Sequence, residues 1–218
     1  MSELITKMAS LILWQLKAIR VSLDQPFKLA SGNFSPIYIN CRCVISDAVS
    51  MDLITAFAHW TCQAEKIDFA VVAGGETAGI PFASFLAQRL AKPMVYVRKK
   101  VKEHGTGSRI EGTFPPGTKV LLVEDLITDG QSKLDFIEPL RDEGAIVEHC
   151  LVLFDRLQGG GAVLQSKGVR LLCITDIEQT LAFAESEALM AATASAEVRA
   201  YLHDPKAWHE AKKLPYRP

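Results

Sequence analysis

Apolar residues recur along this chain in two alternating rhythms. Short, largely apolar runs at residues 69–73, 94–97, 120–123, 147–154 and 170–174 predict strands, and the unbroken ones have the character of strands buried on both faces of a parallel sheet. Between them lie helical patterns. Residues 46–64 predict a helix capped by Ser46 or Asp47, and residues 79–90 a second with Pro81 in its first turn. After residue 132, Leu134, Ile137 and Leu140 share one helical face. At the start, Leu4, Ile5, Met8, Leu11, Ile12, Gln15 and Ile19 suggest one side of an amphipathic helix. Residues 27–42 read as two short strands around a Ser31-Gly32-Asn33 turn, residues 178–201 as helical, and residues 205–213 as a short last helix. Strands alternating with helices predict an α/β fold, an open and mostly parallel sheet flanked by helices. With no repeats or long linkers, one domain over 1–218 is expected.

Composition narrows the setting. A chain of 218 residues, 49% of them hydrophobic, can bury one substantial core. A net charge of −1 argues against a surface that coats nucleic acid. The 5 cysteines are odd in number and lack Cys-x-x-Cys spacing, so they read as free thiols in a reducing compartment. Cys41 and Cys43 alternate as in a strand, which would place both on one face. The apolar stretch 8–16 is flanked by Glu3 and Lys7 and its continuation interrupted by Gln15 and Lys17, with no small-x-small cleavage site after it. No segment reaches the ~18 apolar residues that span a bilayer. A cytoplasmic protein with neither a membrane nor a nucleic-acid partner is expected.

Residues 120–132, Val-Leu-Leu-Val-Glu-Asp-Leu-Ile-Thr-Asp-Gly-Gln-Ser, carry the most chemistry. A buried strand ends in two carboxylates, Glu124 and Asp125, and a turn holding Thr128, Gly130 and Ser132 opens a helix. Ligands of open α/β sheets bind beyond the carboxyl ends of the strands. A glycine turn into a helix presents free N–H groups and a positive dipole end to a phosphate. Carboxylates repel phosphate but accept hydrogen bonds from sugar hydroxyls, so the combination suits a phosphorylated sugar.

This order of features resembles the phosphoribosyl-diphosphate (PRPP) signature of type I phosphoribosyltransferases. It differs from a P-loop, because no Gly-Lys-Ser/Thr follows a four-residue spacer. Four further segments fall in the order of the orotate phosphoribosyltransferases within that family. Phe27-x-Leu29-x-Ser31-Gly32-x-x-Ser35-Pro36 is similar to their first motif, with Ala30 where a lysine is common and Lys28 two residues earlier. Gly74-Gly75-Glu76-Thr77-Ala78-Gly79-Ile80-Pro81 is similar to their pyrophosphate loop, again with alanine, Ala78, for a common lysine; alone it is equally a plain glycine turn. Arg98-Lys99-x-x-Lys102-x-His104-Gly105 resembles their mobile catalytic loop, although a basic run in isolation is usually just solvated. Asp155-Arg156-x-x-Gly159-Gly160 matches their Asp-Arg segment; otherwise Arg156 would be a surface partner of Asp155.

The resemblance implies a type I phosphoribosyltransferase fold with a small N-terminal hood (about 1–45) and C-terminal helices over 180–218. It implies transfer of phosphoribose from PRPP to orotate with Mg²⁺ as cofactor, the metal being held by ligand atoms and water with no direct protein ligand. PRPP would be bound by Gly74 and Gly75, by Arg98, Lys99, Lys102 and His104, by Glu124 and Asp125, and by the turn Thr128, Asp129, Gly130, Gln131 and Ser132. Orotate would meet Thr128, Arg156, Lys28 and Ser31. Arg98, Lys102, His104 and Asp125 would be the catalytic set. The loop would reach the partner's site in a homodimer with shared active sites. An acid at 129 fits only if it points away from the phosphate. A phosphoribosyltransferase for another base, and a PRPP-sensing regulator without catalysis, are the alternatives.

Overall fold

In the computed structural model, residues 2–29, 31–100 and 108–217 are described. The chain opens with helix α1 (Ser2–Gln15), then four short strands, β1 (Ile19–Val21), β2 (Phe27–Lys28), β3 (Phe34–Ser35) and β4 (Ile37–Ile39). A 3₁₀ turn (Cys41–Ser46) leads into α2 (Ala48–Ala64). There follow β5 (Val71–Gly75), α3 (Gly79–Leu90), β6 (Met94–Val97), β7 (Ile110–Glu111), β8 (Lys119–Ile127), α4 (Gln131–Asp142), β9 (Ile146–Asp155), α5 (Gly160–Ser166) and β10 (Arg170–Asp176). Helices α6 (Ile177–Ser186), α7 (Ala192–His203) and α8 (Pro205–Ala211) complete it.

Six strands form one sheet in the order β10-β9-β8-β5-β6-β7, parallel throughout except for the edge strand β7. Residues of β8 alternate between two cores. Leu121 and Val123 face the cluster built with α1, α2, α3 and α6. Val120 and Leu122 face the smaller cluster under α4. The remaining strands make two antiparallel ribbons, β1 with β4 and β2 with β3, the latter enclosing the expected Ser31-Gly32-Asn33 turn.

Several expectations are corrected. Ile19 lies in β1 and not on the first helix, because Lys17 has a positive φ of 53° just past its end. Cys41 and Cys43 sit in a 3₁₀ turn and so do not alternate across a strand; Cys41 is buried and Cys43 partly so. Asp47, not Ser46, caps α2, accepting the Ser50 N–H at 2.8 Å. Residues 178–201 are two helices, broken after Ser186, with Ala188 at φ 54°. All five cysteines are free, and burial pushes Cys62, Cys150 and Cys173 up to about 12. Among the described residues no helix is long and apolar enough to cross a membrane.

Candidate active site

From β5 the chain steps to β6 on one side; it then crosses back to β8 and continues to β9 and β10 on the other. The winding direction therefore reverses between β5 and β8, the position at which an open α/β sheet forms its ligand crevice. The two strands are paired only as far as Gly74 opposite Val123, whereas β8 stays paired with β9 to Ile127. Glu124 and Asp125 thus lie inside an extended strand, on the stretch where its β5 side has come free. The four-residue run Val120–Val123 underestimates that strand, because polar residues end an apolar pattern without ending the ladder.

The two carboxylates point to opposite faces, as adjacent strand residues must. Glu124 faces α4, and its side chain is 4% exposed with Oε2 held 2.8 Å from Lys133 Nζ. Its Oε1 is turned inward. Burial pushes this carboxyl up to about 7 against the pull of the Lys133 ammonium and of the Gly75 backbone N–H, which both help to lower it. The space for it comes from two glycines: a Cβ on Gly75 would stand 2.2 Å from Oε1, and one on Gly79 2.1 Å from it. Gly74 and Gly75 were expected to admit a bound anion. On its side-chain face Gly74 is closed by protein, since a Cβ there would meet Ala83 at 2.9 Å. Asp125, 8% exposed, lies on the other face, toward Cys41.

The turn after β8 is shaped by Gly130 at φ 84°, a conformation that disfavours a side chain. Asp129 bends back to accept the Gln131 N–H at 3.1 Å, so its carboxylate occupies one donor at the start of α4. Thr128 is half-buried and its carbonyl accepts the Gly160 N–H at 3.0 Å, tying the turn to α5. Ser132 is exposed and opens onto a cavity of about 240 Å³. That cavity is lined by Glu76, Thr77, Ala78, Lys99, Glu124, Asp125, Ser132, Lys133, Phe136 and Arg42. It brings together the carboxylates, the α4 start and the 76–78 loop, as a sugar phosphate with a charged leaving group would require.

Other expected residues stand around this cavity or apart from it. The Lys99 N–H donates to Glu76 Oε2 at 2.7 Å, anchoring the start of the basic segment to the loop opposite. Arg98 does not line the cavity; its Nη1 lies 3.3 Å from Glu111 Oε1 across the β6–β7 edge, and its Nε is buried without a partner. Lys102 and His104 lie outside the described residues. Arg156, just beyond β9, is not paired with Asp155, whose carboxylate accepts the Leu157 N–H at 2.8 Å. Instead its Nε is buried without a partner, and burial pulls its guanidinium below its ordinary value. Lys28 and Ser31 are exposed on the β2–β3 ribbon and do not line the cavity.

Residues 48–184 match the family model described as the phosphoribosyl transferase domain. Over 214 residues the chain is 45% identical to orotate phosphoribosyltransferase of Sinorhizobium fredii, covering 96% of this chain and 90% of that one. The chain belongs to the orotate phosphoribosyltransferase family. Among solved structures it is similar to orotate phosphoribosyltransferase from Aeropyrum pernix, with TM-score 0.69 and 31% identity over 83% of this chain and 99% of that one. It is also similar to UMP synthase of Leishmania donovani, with TM-score 0.77 and 27% identity, covering 91% of this chain but 42% of that longer protein.

Three lining residues of this phosphoribosyltransferase, Arg42, Lys133 and Phe136, are absent from the sequence expectation. Arg42 sits in the 3₁₀ turn, where a lone arginine after Cys41 carries no pattern. Lys133 did carry a signal. It lies four residues before Ile137 and seven before Leu140, so it is a cation on an apolar helical stripe.

Proposed function

We infer that this orotate phosphoribosyltransferase transfers the 5-phosphoribosyl group from PRPP to N1 of orotate, releasing pyrophosphate and forming orotidine 5′-monophosphate for pyrimidine synthesis. The observation that carries this is the cavity at the sheet's switch point, where Glu124 and Asp125 of β8 meet the start of α4, the 76–78 loop and Lys99. The α4 start and Ser132 would take the 5′-phosphate, and Glu124 and Asp125 the ribose hydroxyls. Lys99 and the segment that includes Lys102 and His104 would face the pyrophosphate, where negative charge grows as the C1–O bond breaks. The ribose would pass through an oxocarbenium-like state, so positioning and charge stabilisation supply the rate. Orotate already carries a carboxylate, for which the fork of Arg156 is suited.

Mg²⁺ would arrive on PRPP oxygens and keep several waters, as that hard cation does. Among the described residues no group of three or more His, Cys, Asp or Glu side chains could hold a metal ion directly. Asp125 and Glu76, both on the cavity wall, fit the role of holding its waters. A homodimer whose Arg98–Gly107 segment serves the neighbouring site, working in the cytoplasm, completes the proposal.

The test is turnover by purified protein with PRPP, Mg²⁺ and, in separate assays, orotate, uracil, hypoxanthine or adenine. Orotate should be consumed, with its absorbance change, only when PRPP and Mg²⁺ are both present. Equal turnover of uracil would sink the assignment of the base.

A further inference from the structure

Lys133 stands where the stripe of α4 calls for an apolar residue. Its side chain is 7% exposed, and its ammonium is 2.8 Å from Glu124 Oε2. A buried ion pair contributes no more than well-packed apolar side chains would, so stability alone does not account for it. The pair also lies on the wall of the cavity and not in the core proper. The other oxygen of Glu124, Oε1, is turned inward against Gly75 and Gly79, and the Lys133 ammonium and the Gly75 backbone N–H both favour the ionised carboxylate.

The charged and titratable groups around Glu124 are few. Lys133 faces it from α4, Asp125 follows it on β8, and Cys150 approaches from β9. Arg42, Glu76 and Lys99 complete the cavity wall. Of these, only Lys133 is in direct contact with the carboxylate. Burial alone favours the protonated acid, and the ammonium opposes it.

We propose that Lys133 is a positioning residue for the transfer reaction. It holds the Glu124 carboxylate ionised and fixed at the cavity wall, where that carboxylate accepts a hydroxyl of the bound sugar phosphate. The inference rests on the assignment of this cavity to PRPP. It gives Lys133 a role exerted through Glu124 and not through the phosphates.

The sign of the pH effect follows. In the wild type Glu124 is ionised above about 7, so its contribution to PRPP affinity grows as pH rises through that value. Removing the ammonium removes the pull that lowers the carboxyl, and the rise moves to higher pH. The titration of PRPP's own phosphate, near ~6, is common to both proteins and drops out of their difference.

The experiment is calorimetric titration of the full chain with PRPP from pH 6 to 9. The proteins compared are wild type, Lys133→Met, Lys133→Arg, Glu124→Gln and the double variant Lys133→Met/Glu124→Gln. Lys133→Met should bind PRPP at least about tenfold more weakly at pH 7 and recover most of that loss by pH 9. Lys133→Arg should restore the wild-type profile. In the Glu124→Gln background the Lys133→Met change should cost less than about twofold. Should Lys133→Met fail to fold, Lys133→Gln, which keeps a donor without the charge, carries the same expectation. A loss of equal size at every pH, or one that persists in the Glu124→Gln background, would overturn the inference while leaving the PRPP site intact. A wild type that binds no PRPP would overturn the site assignment itself.

Discussion

The ring of His209 joins the C-terminal helix to the N-terminal hairpin: its Nε2 accepts the Phe34 N–H at 3.0 Å while its Nδ1 donates to the Pro205 carbonyl at 2.6 Å. The two bonds select one neutral tautomer, since Nε2 must present a lone pair to an N–H. His209 is fully buried, with Tyr201, Trp208 and Tyr216 around it at ring separations of 5.1 to 6.3 Å. Farther along, Asn33 bonds twice to the Arg217 backbone, at 2.7 and 2.8 Å. Residues 205–217 therefore hold the β2–β3 hairpin on which Lys28 and Ser31 sit.

Replacing His209 with Phe keeps the aromatic packing and leaves the Phe34 N–H without its acceptor. The expected cost is about 1–3 kcal/mol, with roughly 2–4 °C of melting temperature for each kcal/mol in a chain of this size. Hydrogen exchange locates the effect: the Phe34 amide should lose protection while amides in β8 keep theirs. Unchanged exchange at Phe34 would show that the bond does not hold the hairpin.

Arg156 offers a buried donor, Nε, that has no partner among the described residues. If it awaits the orotate carboxylate, Arg156→Ala should raise the KM for orotate by about 30-fold or more, the scale of losing a buried charge partner. The KM for PRPP should move little. Steady-state kinetics with each substrate varied in turn decides it, and a symmetrical loss would make Arg156 a structural residue.

Gly75 is needed for its lack of a side chain. An alanine there would drive its Cβ to 2.2 Å from Glu124 Oε1 and 2.4 Å from Phe136. Gly75→Ala should cost about 3 kcal/mol or more by overpacking, read as a melting temperature lower by roughly 6–12 °C. A stability within 1 °C of the wild type would mean that Glu124 is not seated as described.

Shared active sites would be seen by complementation. Lys102→Ala and Asp125→Asn proteins, each inactive, are mixed under conditions that exchange subunits. Random pairing makes half the dimers mixed, and each mixed dimer has one site with both parts intact. Activity should return to about a quarter of the wild type, since a two-fold dimer has two equivalent sites. No recovery, with exchange verified by mass spectrometry, would place the basic segment in its own chain's site.

What the sequence disclosed depended on whether a residue's role follows from its periodic neighbours. The parallel strands and α3 were legible because their apolar runs are long and their turns carry glycine or proline. The signature turn was legible for the same reason, its hydroxyls and glycine lying between a strand and a helix. Strand β1 and helix α5 were not. The first has three residues, and the second starts in Gly159-Gly160-Gly161, which reads as loop. The inward course of Glu124 was also hidden, because two adjacent acids read alike until the strand is known to run through them. Lys133 showed only as a break in a stripe, and nothing local says that the break is filled by a carboxylate nine residues earlier.

The bond between Phe34 and His209 spans 175 residues of chain. On a ribosome adding roughly 5–20 residues per second, the hairpin would wait roughly 10–35 s for the segment that secures it. The β5–β10 sheet would by then have been synthesised in full. The hairpin, among the earliest parts made, is thus among the last to be locked, and a nascent chain would complete its switch-point cavity before that hairpin is fastened.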